Sequence, residues 1–160
     1  MFDLIIELNP NETKEEIDVY SLGNITINGK YGSLTSKKDK PPFQDTMIFI
    51  DIPGLLDSVV NLVIRSQRMY EYIASDSSFV FWITNRKNRG IFVITDSQKK
   101  IVSKSTKTEL VQSIWQGVNN FVSIYRPYLK DDSVTIDLDD SINKFKLEFA
   151  QILNLSVENK

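Results

Sequence analysis

The chain has 160 residues and a formal net charge of −2, and it contains neither histidine nor cysteine. A chain of this length fits one domain and buries roughly 70% of the surface its unfolded form exposes, so its core needs no disulfide or metal staple. The missing residue types exclude thiolate nucleophiles, imidazole proton shuttles, disulfide frameworks and Cys/His zinc sites, which leaves a non-catalytic binding role as the default and a cytoplasmic location as the expected one.

Charge is unevenly spread. Residues 1–29 carry six acids and one base, residues 30–107 seven acids and thirteen bases, and residues 108–160 eight acids and five bases. A basic middle between acidic ends marks either an electrostatic partner surface or, more commonly, solvated faces whose signs cancel in the fold.

Met1 to Glu7 has no basic leader and breaks its apolar run with carboxylates, so it reads as a strand, Phe2 to Leu8, rather than a signal peptide. Asn9-Pro10-Asn11 closes it. Ile17 to Leu22 is the second expected strand, with Ile17, Val19 and Ser21 on one face. The run Ile25 to Tyr31 holds an Asn28-Gly29 pair, which predicts a hairpin with a type I′ turn at those two residues. Ser36 to Pro42, with its lysines and two prolines, reads as an exposed loop.

Met47 to Ile50 predicts a strand, followed by a helix with Pro53 near its start. Leu55, Val59, Leu62, Met69 and Ile73 extend one helical stripe to residue 73. Arg65, Arg68, Asp57 and Asn61 interrupt it, so it does not read as a membrane span. Phe79 to Thr84 and Ile91 to Thr95 form a hairpin joined by a polar tip, and Lys99 to Lys104 adds an edge strand after a turn at Asp96-Ser97. Thr106 and Glu109 match a capping box that opens a helix along Leu110, Ile114, Val118, Phe121 and Tyr125, ending near Pro127. The last helix carries Ile142, Phe145, Phe149, Ile152 and Leu153 on one side, with Asp140 as its expected cap. These elements predict an α+β domain spanning residues 1–160: a mainly antiparallel sheet of about seven to eight strands packed with about three helices.

No catalytic constellation assembles from these residues. Asp131, Asp132, Asp137, Asp139 and Asp140 form the densest carboxylate set, but a calcium loop needs a turn-permitting glycine that this stretch lacks. Asp51 precedes Pro53-Gly54 at an expected strand end, where ligands bind in open sheets, yet has no base, nucleophile or phosphate loop beside it. The glycines form no dinucleotide or P-loop fingerprint. Arg86, Lys87 and Arg89 on a hairpin tip, Lys37, Lys38 and Lys40, and the aromatic faces of Tyr31 or Trp82 offer the parts of a nucleic-acid surface, against a sequence pI near 5.2. The strands Phe79-Val80-Phe81-Trp82-Ile83 and Ile91-Phe92-Val93-Ile94 are apolar on both faces. Either two layers cover them, or residues such as Trp82 and Phe92 dock a partner.

Met47-Ile48-Phe49-Ile50-Asp51-Ile52-Pro53-Gly54-Leu55-Leu56, then Phe79-Val80-Phe81-Trp82 with Gly90-Ile91-Phe92-Val93, then Thr108-Glu109-Leu110-Val111, follow one another in an order that resembles small bacterial immunity proteins. These neutralise toxins of the contact-dependent growth inhibition type. The resemblance covers roughly residues 45–128. It implies a non-catalytic cytoplasmic antitoxin that holds a cognate toxin domain, nucleases among the candidate targets, in a 1:1 complex, with no cofactor, metal or membrane, and the acidic overall balance weighs against nucleic acid. For a toxin with a basic cleft, the expected partner-binding residues are Asp131, Asp132, Asp139 and Asp140, with Trp82 as the apolar anchor. A nucleic-acid-binding regulator and a carboxylate-dependent enzyme are the alternatives.

Overall fold

The computed structural model describes residues 1–86 and 89–155. Lys87, one of the expected tip cations, lies outside them. The chain is α+β, with eight strands divided into two four-stranded antiparallel sheets. The first sheet comprises β1 (Asp3–Leu8), β2 (Leu22–Gly29), β3 (Gly32–Thr35) and β4 (Thr46–Met47). β2 is its spine, paired with β1 along one edge and with β3 and β4 on the other. The second sheet runs in the order β5 (Met69–Ile73), β6 (Val80–Arg86), β7 (Ile91–Thr95), β8 (Ile101–Thr106).

The helices are α1 (Ile48–Val63), α2 (Lys107–Tyr125), α3 (Ser133–Glu148) and the short α4 (Ala150–Leu153). α1 buries residues on almost every side, including Phe49, Ile52, Leu55, Leu56, Val59 and Leu62, the signature of a helix inside the core. It packs on α3, α2, β2 and β5. Each such side chain contributes roughly 1.5–3 kcal/mol through removal from water. α2 lies across β1, where Gly117 lets the backbone of Leu4 approach, and against β7 and β8. Both sheets and the three long helices share one continuous apolar core.

Several expectations need correction. Ile17 to Ser21 forms turns, not a strand. Its alternation is real, since Ile17, Val19 and Ser21 are buried, but the Glu12 carboxylate accepts from the Ser21 hydroxyl and the Leu22 amide where a ladder would have run. The hairpin turn falls at Lys30-Tyr31, with Gly29 opposite Gly32, so Asn28-Gly29 belongs to β2. Ile48, Phe49 and Ile50 are helical and leave only Thr46–Met47 as a strand, which places Pro53 inside α1. The helix stops at Val63, and a left-handed Ser66 (φ 55°) turns the chain into β5. Met69 and Ile73 therefore belong to a strand. Asp132, not Asp140, caps α3: its carboxylate accepts from the Thr135 amide at 2.9 Å, and its own amide donates to the Thr135 hydroxyl at 2.7 Å. The capping box of Thr106 and Glu109, the hairpin of β6 and β7 and the edge position of β8 occur as expected.

Candidate binding surface

Strand alternation gives the second sheet two unlike faces. Phe81, Ile83, Phe92 and Ile94 point inward to the helices and are buried. Phe92 is thus a core residue, and its expected place beside Trp82 on a docking patch is incorrect. Register puts Met69, Thr84, Val93 and Lys104 in one row across the outer face, and Glu71, Trp82, Thr95 and Ile101 in the next. No helix covers this face. Met69, Ile73 and Ile101 are exposed, and Trp82 is half-buried.

The outer face is concave, forming an open groove of about 1020 Å³. Its apolar floor comes from Met69, Trp82, Ile91, Val93 and Ile101. Five cations surround it: Arg68 at the entry to β5, Arg86 and Arg89 at the hairpin tip, and Lys99 and Lys104 along β8. Among the described residues no acid is in the groove lining and none of the five cations forms an ion pair, while the exposed Glu71 stands opposite Trp82 on the same outer face. Met69 and Ile101 are the exposed part of the floor, Trp82 and Ile91 are half-buried and Val93 is buried, so the concentration of cations on one sheet face is what singles this surface out.

The turn before β8 fixes one of these cations. The Asp96 carboxylate accepts from the amides of Gln98 and Lys100, both at 2.9 Å, and Lys99 between them takes the left-handed conformation (φ 63°). That conformation is uncommon for a residue with a β-carbon and costs on the order of 1 kcal/mol. It brings the Lys99 ammonium 3.0 Å from the centre of the Trp82 ring, a cation–π contact worth about 0.5–2 kcal/mol. Lys104 sits 5.1 Å from the ring centre of Tyr31 in the same way.

The expected acidic residues lie elsewhere and are mostly engaged within the chain. Arg126 donates to both oxygens of Asp139, at 2.8–3.2 Å, and to Asp131 at 2.8 Å. These bonds push the guanidinium pKa still higher and offset one of the two carboxylate charges. Asp132 is the cap of α3. Asp140 borders a shallow hollow with Asp57, Asp137 and Lys144, where Lys144 pairs with Asp57 at 2.8 Å. α3 packs on α1, whereas Trp82 faces away from the helices, so the structure does not bring Trp82 and these acids into one site. Among the described residues no three acidic side chains gather as a metal cage.

Asp51 is in the first turn of α1 and not at a strand end. It is buried, and its carboxylate accepts from the hydroxyls of Thr46 and Tyr72, the latter at 2.6 Å, and from the Ser75 amide at 3.4 Å. Neither the groove nor the α3 hollow includes it. It ties α1 to β4, β5 and the following loop.

No protein-family model, no curated protein and no solved structure matches the chain. Among the described residues no helix is long and apolar enough to cross a membrane.

Proposed function

We propose that this chain is a non-catalytic binding protein that docks a protein partner on the outer face of its second sheet, and that it acts as a cytoplasmic immunity protein holding a toxin domain in a 1:1 complex. The groove around Trp82 carries the reading: an apolar floor with five cations around it, none of them in an ion pair among the described residues. Trp and Arg, the residue types that most often dominate binding energy, both contribute. Among the described residues no carboxylate is in the groove lining, and the chain supplies no histidine or cysteine to act there. The toxin reading draws on the sequence resemblance, of whose carrier segments the hairpin and the capped helix are present as β6, β7 and α2, while the strand before the long helix is reduced to Thr46–Met47.

This docking face changes the electrostatics expected from sequence. Acids at the start of α3 and along it match a basic nuclease cleft in sign, but Arg126 engages Asp131 and Asp139, and Asp132 caps the helix. The basic groove instead suits an acidic part of the partner. Nucleic acid is the second reading, because a cationic groove with an aromatic floor suits a polyanion. Lys99 and Lys104 already lie over the rings of Trp82 and Tyr31, however, so those faces are not open for base stacking.

The test uses the tagged chain as bait in lysate of its native host, followed by expression of the recovered protein alone and together with the chain. The recovered protein should arrest growth alone, and the wild-type chain should restore it. The double variant Trp82→Ala, Arg86→Glu should restore growth at least tenfold less well while melting at the wild-type temperature, since both side chains lie outside the core. Full rescue by that variant, or recovery of nucleic acid only, overturns the proposal.

A further inference from the structure

We infer that the groove on the outer face of the second sheet receives an extended, glutamate- or aspartate-rich segment of the partner, with apolar side chains seated between its carboxylates. This rests on the docking face proposed above and specifies what that face recognises.

Shape and charge support it together. At about 1020 Å³ the groove is at the upper limit of small-molecule sites, which enclose most of their ligand, and it lies open along the strands. An extended segment fits such a trough better than a compact metabolite. The cations stand at three of its margins, with Arg68 beside β5, Arg86 and Arg89 at the hairpin tip, and Lys99 and Lys104 along β8. Carboxylates spaced along a chain can reach these margins while intervening side chains cover Met69 and Ile101, the exposed apolar residues of the floor. Arginine pairs with carboxylates through two parallel hydrogen bonds.

The lysines discriminate between kinds of anion. Each keeps its ammonium over an aromatic ring, at 3.0 Å for Lys99 on Trp82 and 5.1 Å for Lys104 on Tyr31. A carboxylate can pair with such an ammonium without moving it. A stacked nucleobase must first displace it and lose the cation–π contact. The chain as a whole is acidic, so a long polyanion meets repulsion away from the groove, whereas a short acidic segment stays within it.

Trp82 supplies its own reporter. The chain has two tryptophans, and the other, Trp115, stacks on Phe145 among the helices. In the Trp115→Phe variant, emission therefore comes from the groove alone. Titration at low salt with poly-L-glutamate of about 15 residues, and with an oligothymidine of about 15 nucleotides, separates the two polyanions. Poly-L-glutamate should shift Trp82 emission and bind at least tenfold more tightly than the oligothymidine. Adding Arg86→Glu and Lys99→Glu should weaken it at least tenfold, and adding Asp131→Lys before the start of α3 should not. Tighter oligothymidine binding, no response to poly-L-glutamate, or binding indifferent to the groove reversals each overturns the inference. If poly-L-glutamate fails while growth rescue still depends on Trp82, the acidic segment is wrong and the docking face stands.

Discussion

Gly29→Ala should destabilise the protein by about 3 kcal/mol or more, at the upper end of overpacking effects. Gly29 ends β2 where the first sheet meets β8 of the second, and the Tyr31 amide donates to the Val102 carbonyl across that junction at 3.1 Å. A methyl group at Gly29 would overlap the Val102 carbonyl oxygen and lie 2.7 Å from its carbon and 2.9 Å from the Ser103 β-carbon. Most of the obstruction is backbone, which cannot rotate away, so the sheets must part and lose that hydrogen bond. Gly54 gives the opposite sign. It is exposed within α1 and a methyl there meets nothing within 4 Å, so Gly54→Ala should gain up to about 1 kcal/mol from helix propensity. Urea denaturation of both variants measures the contrast. Equal, small effects would mean that the sheets do not meet at Gly29.

Asp51→Ala should cost about 3 kcal/mol. It leaves the Tyr72 and Thr46 hydroxyls and the Ser75 amide without their shared acceptor in a buried setting. Among the described residues the carboxylate has no cationic partner, so its burial is offset by these bonds and by the N-terminal end of α1, a helix-dipole term of about 0.3–1 kcal/mol. The same site shapes alkaline stability. Burial pushes the Tyr70 phenol up from 10.0 to about 12, with Ser58 opposing and Asp51 reinforcing the shift. Tyr72 moves further in the same direction through burial and the Asp51 charge. The unfolded chain releases these protons first, so stability is intact below about pH 10 and falls as pH rises through about 12. Tyrosinate absorbance and denaturation midpoints across that range check the sign. In Asp51→Ala the phenols should ionise at lower pH, and unchanged titration would show that Asp51 does not act on them.

Local signals in the sequence translated into structure, and signals depending on distant partners did not. Thr106 and Glu109 lie within one turn and read directly as a capping box. The hairpin of β6 and β7 was equally legible from two apolar runs around a polar tip. Met47 to Ile50 misled because a fully buried helix start and a buried strand are both short apolar runs. Met69 and Ile73 kept helical spacing with Leu62 by coincidence, while the break fell at Ser66, a residue that does not announce a left-handed turn. Asn28-Gly29 resembled a turn, but Gly29 is there for the approach of β8 rather than for a positive φ.

The candidate surface was half legible for the same reason. A strand apolar on both faces singled out Trp82, and alternation then decided that Phe92 faces the core. The basic middle of the chain was visible as a count, but Arg68, Arg86, Lys99 and Lys104 come from separate segments that only the sheet aligns. Nor does spacing along the chain show that Arg126 reaches Asp139 thirteen residues later and takes Asp131 as well.

Lysine reactivity tests the docking face most directly. The chain, free and bound to the partner it neutralises, would be acetylated briefly and each lysine quantified by mass spectrometry. Lys99 and Lys104, exposed on the open face of the second sheet, should lose most of their reactivity in the complex, while Lys130 and Lys146 beside and on α3 keep theirs. Protection of Lys130 and Lys146 with Lys99 and Lys104 unchanged would place the partner on the acidic helix and contradict a groove-docked complex.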